Sequence, residues 1–273
     1  MRADYSQCCF ATGGGARYVP PPMFAFISDI HSNTEALGQV LQKAREVGAT
    51  RFLCLGDVIG YGPEPRDTLR TIMEMCEFSI MGNHEHGSMF YASDFNPRAR
   101  AALDWTRDQL NRKDCDRVEN MTMWNFVGDM KERYRKDNFL LVHGSPRDPI
   151  KEYMVPQDAE DREKMSGCFE LFDGAQVCFV GHSHVPGVYP ESGGFLPPDQ
   201  IGGCYTLGDE RAMVNVGSVG QPRDGDPRAS FVTFDGSTIG FHRVAYNIEA
   251  VQRKIWAVPE LPDYLADRLA VGR

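Results

Sequence analysis

Five short, largely apolar runs, each followed at once by polar residues, set the pattern of hydrophobic and polar positions along this chain. The runs cover residues 24–28, 51–55, 78–81, 139–142 and 177–180. Runs of this length predict short buried strands. Because ligands of α/β proteins bind outside the carboxyl ends of strands, the polar residues after each run are placed to do chemistry.

Apolar residues at helical spacing lie between these runs. They predict helices at 33–47, 66–75 and 97–110, within 158–172, and at 248–256. The strand–helix–strand order of the first half favours parallel pairing. Beyond residue 184, short strands separated by Gly, Pro and Asp turns predict antiparallel hairpins. These strands are expected at 185–189, 204–207, 213–216, 230–234 and 239–244.

The chain divides into a tail and one main domain. Residues 1–22, which include three consecutive glycines and three consecutive prolines, predict a disordered N-terminal tail. Residues 23–258 are expected to form a single domain, with 259–273 as a C-terminal extension. The charged stretch 111–138 contains several aromatic residues, so we expect it to cover the core or the mouth of the site.

Composition narrows the classes of partner. The 273 residues carry a formal net charge of −9, so no broad basic field exists to hold a nucleic acid, and a phosphate substrate would need local positive charge. The eight cysteines form no Cys-x-x-Cys pair, which argues against a zinc finger and favours a reducing, cytoplasmic compartment. No apolar run is long enough to span a membrane.

Histidines concentrate where the strands end. Five of the seven follow a predicted strand, next to Asp, Asn, Gly or another His. With two aspartates and an asparagine at the same kind of position they form the candidate site. The set is Asp29, His31, Asp57, Asn83, His84, His143, His182 and His184. His86 and His242 fit no such pattern and are interpreted as structural.

Carboxylate, imidazole and amide donors together suit divalent metals such as Mn, Fe, Zn, Co or Ni. Two carboxylates with four further donors exceed what one tetrahedral ion needs. Two ions roughly 3.5–4 Å apart, sharing one carboxylate, fit the number better, and Asp57 is the expected bridge. We expect manganese first, with Mg also allowed. The positive charge left over would stabilise a phosphate oxyanion, and a bridging water would become the nucleophile.

The polar blocks, taken in order, resemble the motif set of the calcineurin-like metallophosphoesterases. The blocks are Asp29-Ile30-His31, Gly56-Asp57, Gly82-Asn83-His84-Glu85, His143 and Gly181-His182-Ser183-His184. Three further blocks look like the YfcE-like bacterial phosphodiesterase branch: 60–63, 143–146 and 215–223. The resemblance implies a mixed α/β fold, a four-layer αββα sandwich of two mixed β-sheets.

The resemblance also implies two metal sites that share Asp57. The first would be formed by Asp29, His31 and His184. The second would be formed by Asn83, His143 and His182. His84 would be a histidine that is not a ligand, donating a proton to the leaving oxygen or stabilising the transition state.

Three other residues each allow two interpretations of their role. Glu85 either orients His84 or is a carboxylate at a helix start. Arg147 and Arg223 are candidates for gripping a phosphate bidentately, and for each a solvent-facing loop arginine is the alternative.

The expected function is dimetal-dependent hydrolysis of a phosphodiester or phosphoanhydride in a small, nucleotide-like substrate, by in-line attack of a metal-bridging hydroxide. A phosphoprotein or phosphomonoester phosphatase with the same metal core is the alternative. A scaffold that kept the fold without catalysis is a third reading, although every expected ligand position is filled. Exposed hairpin edges after residue 185 would allow a homodimer.

Overall fold

Two β-sheets packed face to face form the centre of the molecule, and helices cover their outer faces. The computed structural model describes residues 22–90, 92 and 95–273. Apart from Pro22, the predicted N-terminal tail lies outside the described residues.

Strands are short, as the sequence pattern predicts. Those in the described ranges are β1 (Phe24–Ile27), β2 (Arg51–Cys54), β3 (Phe78–Ser79), β4 (Arg133–Lys136), β5 (Phe139–Val142), β6 (Val177–Val180), β7 (Gly187–Pro190), β8 (Cys204–Thr206), β9 (Ala212–Asn215), β10 (Ala229–Phe234) and β11 (Thr238–Val244). The first sheet has the order β3-β2-β1-β10-β11-β8, and the second has the order β4-β5-β6-β9-β7.

Helices connect and cover the strands. They are α1 (Thr34–Glu46), α2 (Pro65–Met75), α3 (Asn83–Met89), α4 (Pro97–Leu110), α5 (Arg117–Asp129), α6 (Arg162–Glu170), α7 (Ile248–Trp256) and α8 (Tyr264–Asp267). Single 3₁₀ turns cover Pro156–Glu160 and Arg268–Val271. None of the helices in the described part of the chain has the length and apolar character needed to cross a membrane.

Each sheet is mixed. In the first, β1, β2 and β3 run parallel, and β10, β11 and β8 continue antiparallel. In the second, β5, β6 and β9 run parallel, and the edge strands β4 and β7 are antiparallel to their neighbours. Within each sheet the parallel strands therefore have their carboxyl ends at the same edge, and the polar blocks follow these ends.

Aromatic residues fill the space between the sheets. Phe26 of the first sheet stacks on Phe179 of the second, with ring centroids 4.0 Å apart, and Phe139 meets Phe26 edge to face at 5.4 Å. Apolar faces of α1, α2 and α5 cover the outside of the first sheet, while α6 covers the outside of the second. This arrangement is the predicted αββα sandwich.

Some predictions need correction. We predicted hairpin pairing for all strands after residue 184, but β9 inserts between β6 and β7 and runs parallel to β6. The connection 191–211 contributes β8 to the first sheet before β9 begins in the second, and turn residues mark turns without specifying partners. The predicted strand 78–81 is shorter, and the seven-residue helix α3 begins at Asn83.

Two segments, the charged stretch 111–138 and the C-terminal residues 259–273, pack against neighbouring elements of the fold. Helix α5, within the charged stretch 111–138, buries Met123 and Val127 in the core outside the first sheet. Residues 259–273 form α8 and a 3₁₀ turn, whose Leu265 and Leu269 pack with Trp105 of α4.

Candidate metal centre

The polar residues that follow β1, β2, β5 and β6, together with the first turn of α3, converge at one edge of the sandwich. The side chains of Asp29, His31, Asp57, His143, His182 and His184 are almost completely buried there. Parallel strands explain this convergence, because their carboxyl ends face the same way in both sheets.

One cluster contains the side chains of Asp29, His31 and His184. Asp29 Oδ1 lies 3.1 Å from His184 Nε2 and 3.9 Å from His31 Nε2. The two imidazole Nε2 atoms lie 3.3 Å apart. Asp57 Oδ2 lies 3.7 Å from His31 Nε2, so this carboxylate borders the cluster.

A second cluster forms on the other side of Asp57. Asp57 Oδ2 lies 3.4 Å from His143 Nε2. The same nitrogen lies 3.1 Å from Asn83 Oδ1 and 3.2 Å from His182 Nδ1. One carboxylate oxygen of Asp57 therefore faces both clusters.

Each of the four histidines in these clusters has its other ring nitrogen beside a backbone carbonyl. His143 Nδ1 lies 2.8 Å from Leu55 O, and His31 Nδ1 lies 3.3 Å from Ile59 O. His184 Nδ1 lies 2.5 Å from Gln221 O, and His182 Nε2 lies 3.2 Å from Lys151 O. A carbonyl only accepts, so these nitrogens donate and the neutral rings present lone pairs inward.

The inward-facing atoms are all acceptors when the histidines are neutral. Lone pairs about 3 Å apart repel unless a proton or a cation lies between them. Asp29 Oδ1 is buried and accepts no hydrogen bond among the described residues. Ligand atoms about 2.1 Å from a common divalent ion are themselves roughly 3.0–3.4 Å apart, close to most of the separations here. The residues present therefore fit two divalent cations.

Backbone conformation is unusual at the same residues. Asp29, His31, Asp57, His182 and His184 all have positive φ, between 49° and 64°. Residues other than glycine rarely adopt this left-handed region, and its use at functional sites is a recurring form of local strain. The fold thus holds these side chains in positions that a relaxed strand end would not give.

Charges in the cluster shift the titration of its members. Burial would raise the pKa of Asp57, but His143 and His84 outweigh it and hold that pKa far below its usual range. Burial would lower the pKa of His143, yet Asp57 raises it to about 9. Burial lowers the pKa of His182 to about 3, and it also lowers that of His31 and His184. Asp57 is therefore ionised, and His31, His182 and His184 are neutral, the form in which an imidazole can bind a cation.

His84 lies beside the two clusters. Its ring is within 4.7 Å of His31 and 4.3 Å of Tyr61, measured between centroids, and its Nδ1 has no hydrogen-bond partner in the described structure. Burial lowers the pKa of His84 to about 4, so the resting imidazole is neutral. A ligand-type atom of His84 lies within 4.8 Å of those of His31 and Asp57, so geometry allows a ligand role as well.

A glycine makes room for His84. Gly60 has φ of +88°, and a Cβ on it would lie 2.1 Å from His84 Nδ1. Only glycine accommodates both the backbone conformation and the approach of the ring.

Glu85 acts at the helix start and on the loop after β2. Its Oε2 accepts hydrogen bonds from the amides of Asp57 and Gly82, at 2.8 and 3.0 Å. Its Oε1 accepts from the amides of Val58 and Ile59, at 2.8 and 3.1 Å. Burial and Asp57 raise the pKa of Glu85 to about 7, against these donors. The carboxylate thus fixes the backbone that carries Asp57.

Replacing Glu85 by Gln is expected to lower the free energy of unfolding by about 3 kcal/mol. The amide NH₂ would face two N–H donors, and buried hydrogen bonds to a charged acceptor contribute about 1.5–3 kcal/mol each. Urea denaturation measures the change. The exposed Glu132→Gln substitution is the matched control, and equal stability of the two variants would contradict the positioning role of Glu85.

The two candidate arginines differ in position. Arg223 lies near the centre: its guanidinium carbon is 6.0 Å from the Tyr61 ring centroid, and its charge lowers the pKa of His184 after burial. Its Nε is buried without a hydrogen-bond partner in the described structure. Arg147 instead pairs with Glu152 at 3.6 Å and is 41% exposed. Only Arg223 borders the clusters.

The remaining two histidines do not join the clusters. His242 stacks on Phe231 in the first sheet, and its Nε2 lies 2.8 Å from Thr233 Oγ1. His86 packs against Phe90 and lines a cavity of about 170 Å³ beside Asn83 and His182.

Sequence reasoning missed the aromatic residues around the mouth. Tyr153 stacks on His182 with centroids 3.8 Å apart, and Phe95 meets His84 edge to face at 5.2 Å. Tyr61 lies between His31 and the surface cavities. Tyr61 was visible only as part of the turn-rich loop after Asp57, whereas Tyr153 and Phe95 lie in loops with no periodic pattern.

Comparison with known proteins gives consistent relatives. The sequence model of the family described as Calcineurin-like phosphoesterase matches residues 22–186. An uncharacterized protein of Methanocaldococcus jannaschii is 34% identical over 256 residues, which cover 92% of this chain and 98% of that protein.

Two solved structures are similar to this chain over most of its length. A metallophosphoesterase from Sphaerobacter thermophilus is 34% identical, covers 92% of this chain and 100% of its own, and has a TM-score of 0.77. A hypothetical protein from Pyrococcus horikoshii has a TM-score of 0.71 at 17% identity, covering 92% of this chain and 98% of its own, and shows the shared fold.

Proposed function

Because this chain belongs to the calcineurin-like phosphoesterase family, we propose that it is a dimetal-dependent hydrolase of phosphodiester or phosphoanhydride bonds in small, nucleotide-like substrates. One observation carries the proposal. Two clusters of inward-facing acceptors share the Asp57 carboxylate, and each histidine in them has a backbone carbonyl on its far nitrogen. The YfcE-like branch stays a prediction from its three sequence blocks.

We assign the ligands as follows. One divalent ion would be held by Asp29, His31 and His184. The other would be held by Asn83, His143 and His182, with Asp57 shared. When bound, such ions supply Lewis acidity to a phosphoryl oxygen and a nucleophilic water at neutral pH. The mixed oxygen and nitrogen donors favour manganese in our proposal.

Residues around the clusters would act on the substrate directly. His84 would donate a hydrogen bond toward the leaving oxygen, because it lies beside His31 and the shared Asp57 and its Nδ1 lacks a partner in the described structure. Arg223, beside Tyr61, would bind a phosphate oxygen with its fork of donors. Tyr61 and Tyr153 line the cavity at the mouth, where a flat group of the substrate could stack.

A cytoplasmic location belongs to the same proposal. The six cysteines of the described ranges are free thiols, three of them buried, as expected for a reducing compartment.

Removal of metal is expected to abolish turnover, and Mn²⁺ is expected to restore it. The measurement is hydrolysis of bis-p-nitrophenyl phosphate and of p-nitrophenyl phosphate, before and after chelation and after addition of each divalent ion. Faster turnover of the diester supports the proposed class, and faster turnover of the monoester would favour a phosphomonoesterase. Absence of metal-dependent turnover on any phosphate ester would contradict the proposed function.

A further inference from the structure

Two arginines outside the metal clusters contact the ring of the same tyrosine. Arg98, in the first turn of α4, has its guanidinium carbon 4.8 Å from the centroid of the Tyr264 ring. Arg268, which follows α8, has its guanidinium carbon 5.2 Å from the same centroid. Cation–π contacts of this kind hold each guanidinium in place while leaving its N–H groups available. We call Arg98, Tyr264 and Arg268 the arginine subsite.

Among the described residues, neither arginine forms an ion pair with an aspartate or glutamate side chain. Within the described ranges, no Asp or Glu side chain lies within 4 Å of Arg98, Arg268 or Arg223. Arg268 Nε donates a hydrogen bond to the backbone oxygen of Arg273, so this N–H group already has a partner. Burial lowers the pKa of Arg268, and the charge of Arg223 lowers it further. Like charges are therefore held close together in a protein whose net charge is −9.

The cavity at this subsite adjoins a second cavity that reaches the metal clusters. It measures about 430 Å³, and its lining includes both arginines, Tyr264 and Tyr61. Tyr61 also lines the 170 Å³ cavity beside Asn83 and His182. The two cavities share Asn96 and Ala99 as well, so they adjoin each other. The capped first turn of α4 adds a small positive potential to the shared wall.

We propose that the arginine subsite binds a second phosphate of a polyphosphate substrate whose reacting phosphate lies at the metal clusters. The substrate class would then be a phosphoanhydride rather than a simple diester. Guanidinium groups recognise phosphate oxygens bidentately, and two of them beside one cavity suit a doubly charged group. The subsite is formed by α4 and the C-terminal segment, which contribute no metal ligand. It would therefore select the substrate independently of the metal clusters.

The position of the reaction rests on the proposed function. Water oxygen would form a bond to the phosphorus at the metal clusters, and the bridging P–O bond would break. The departing phosphate keeps the electron pair of that bond and takes up the proton that the attacking water loses, so atoms and charge balance. It would leave from the arginine side, still in contact with Arg98 and Arg268.

Binding and kinetics test the subsite separately. Tripolyphosphate and orthophosphate are titrated into the purified protein by calorimetry, for the wild type, Arg98→Ala, Arg268→Ala and Arg268→Lys. Each alanine variant is expected to lower the preference for tripolyphosphate over orthophosphate about tenfold, since a charge-assisted contact is lost. Arg268→Lys keeps the charge and is expected to lose less. The ratio of kcat/KM for tripolyphosphate to that for bis-p-nitrophenyl phosphate should fall in parallel.

Arg112→Ala is the matched control, because it removes an equal charge from an exposed loop where Arg112 pairs with Asp114. Circular dichroism and melting curves establish that each variant is folded. Preference ratios in Arg98→Ala and Arg268→Ala equal to that of the control would overturn the subsite. If the arginine variants lose tripolyphosphate selectively while the wild type hydrolyses no phosphate compound, the subsite stands and the proposed function fails. If a diester is hydrolysed and the arginine variants have no selective effect, the proposed function stands and the arginine subsite fails.

Discussion

Substitution of Asp57 by Asn is expected to remove bound metal and turnover together. Asp57 Oδ2 lies 3.7 Å from His31 Nε2 and 3.4 Å from His143 Nε2, so this carboxylate faces both clusters. Asn is isosteric but neutral, and it offers one oxygen where Asp offers two. The loss of a shared anionic ligand is expected to cost about 4 kcal/mol of transition-state stabilisation, or roughly 1000-fold in kcat/KM.

The Asp57→Asn result is measured as metal content per chain and as kcat/KM on the best phosphate ester after reconstitution with Mn²⁺. Asp57 Oδ1 also accepts a hydrogen bond from the amide of His84 at 2.8 Å, so melting curves are needed to exclude a general loss of structure. Asp67→Asn is the control, because that side chain is 57% exposed on α2. An Asp57→Asn protein that retains two metal ions would overturn the shared-ligand assignment.

The pattern of polar residues at strand ends predicted most residues of the candidate site. Strand ends can be recognised locally, because an apolar run stops at the point where polar residues begin. Asp29, Asp57 and His143 each follow such a run, and the structure brings all three to one edge of the sandwich. Their roles as ligands stay predictions until metal is measured. The αββα fold followed from the resemblance of the whole motif set.

Partners distant in the sequence could not be predicted in this way. The carbonyl oxygens that orient the histidines belong to Leu55, Ile59, Lys151 and Gln221, whose side chains carry no relevant signal. Only the packed fold decides which carbonyl reaches a ring nitrogen.

The sequence pattern also could not predict where whole elements pack, for a related reason. Turn residues flank strand β9 as they would flank a hairpin strand, and nothing in its own sequence predicts that it pairs parallel with β6. The C-terminal segment 259–273, which begins with Pro259 and also contains Pro262, was expected as an extension of the main domain. Its Leu265 and Leu269 nevertheless pack with α4 and α7 and bring Arg268 beside the site. Turn and breaker residues mark where elements end, whereas docking depends on complementary surfaces far apart in the chain.

His84→Ala is expected to retain both metal ions and to lose about 100- to 1000-fold in kcat, within the range that a positioned proton donor contributes. Each cluster has four donors when the shared Asp57 is included, and neither set needs His84, which accounts for metal retention. His84 lies 4.7 Å from His31 and 4.3 Å from Tyr61, ring centroid to ring centroid, so it is close enough to contact a bound substrate. His242→Ala removes an imidazole that stacks on Phe231 within the first sheet, and it serves as the control.

The dependence on leaving group separates the two roles that remain for His84. A proton donor matters more for a poor leaving group, so the loss in His84→Ala should be larger for an alkyl ester than for a p-nitrophenyl ester. A group that only stabilises the transition-state charge should cost the same for both esters. Since burial leaves the resting imidazole neutral, with its pKa lowered to about 4, an equal loss would assign His84 to charge stabilisation. Loss of one metal ion in His84→Ala would instead make this residue a ligand, a role that its ligand-type atom within 4.8 Å of those of His31 and Asp57 permits.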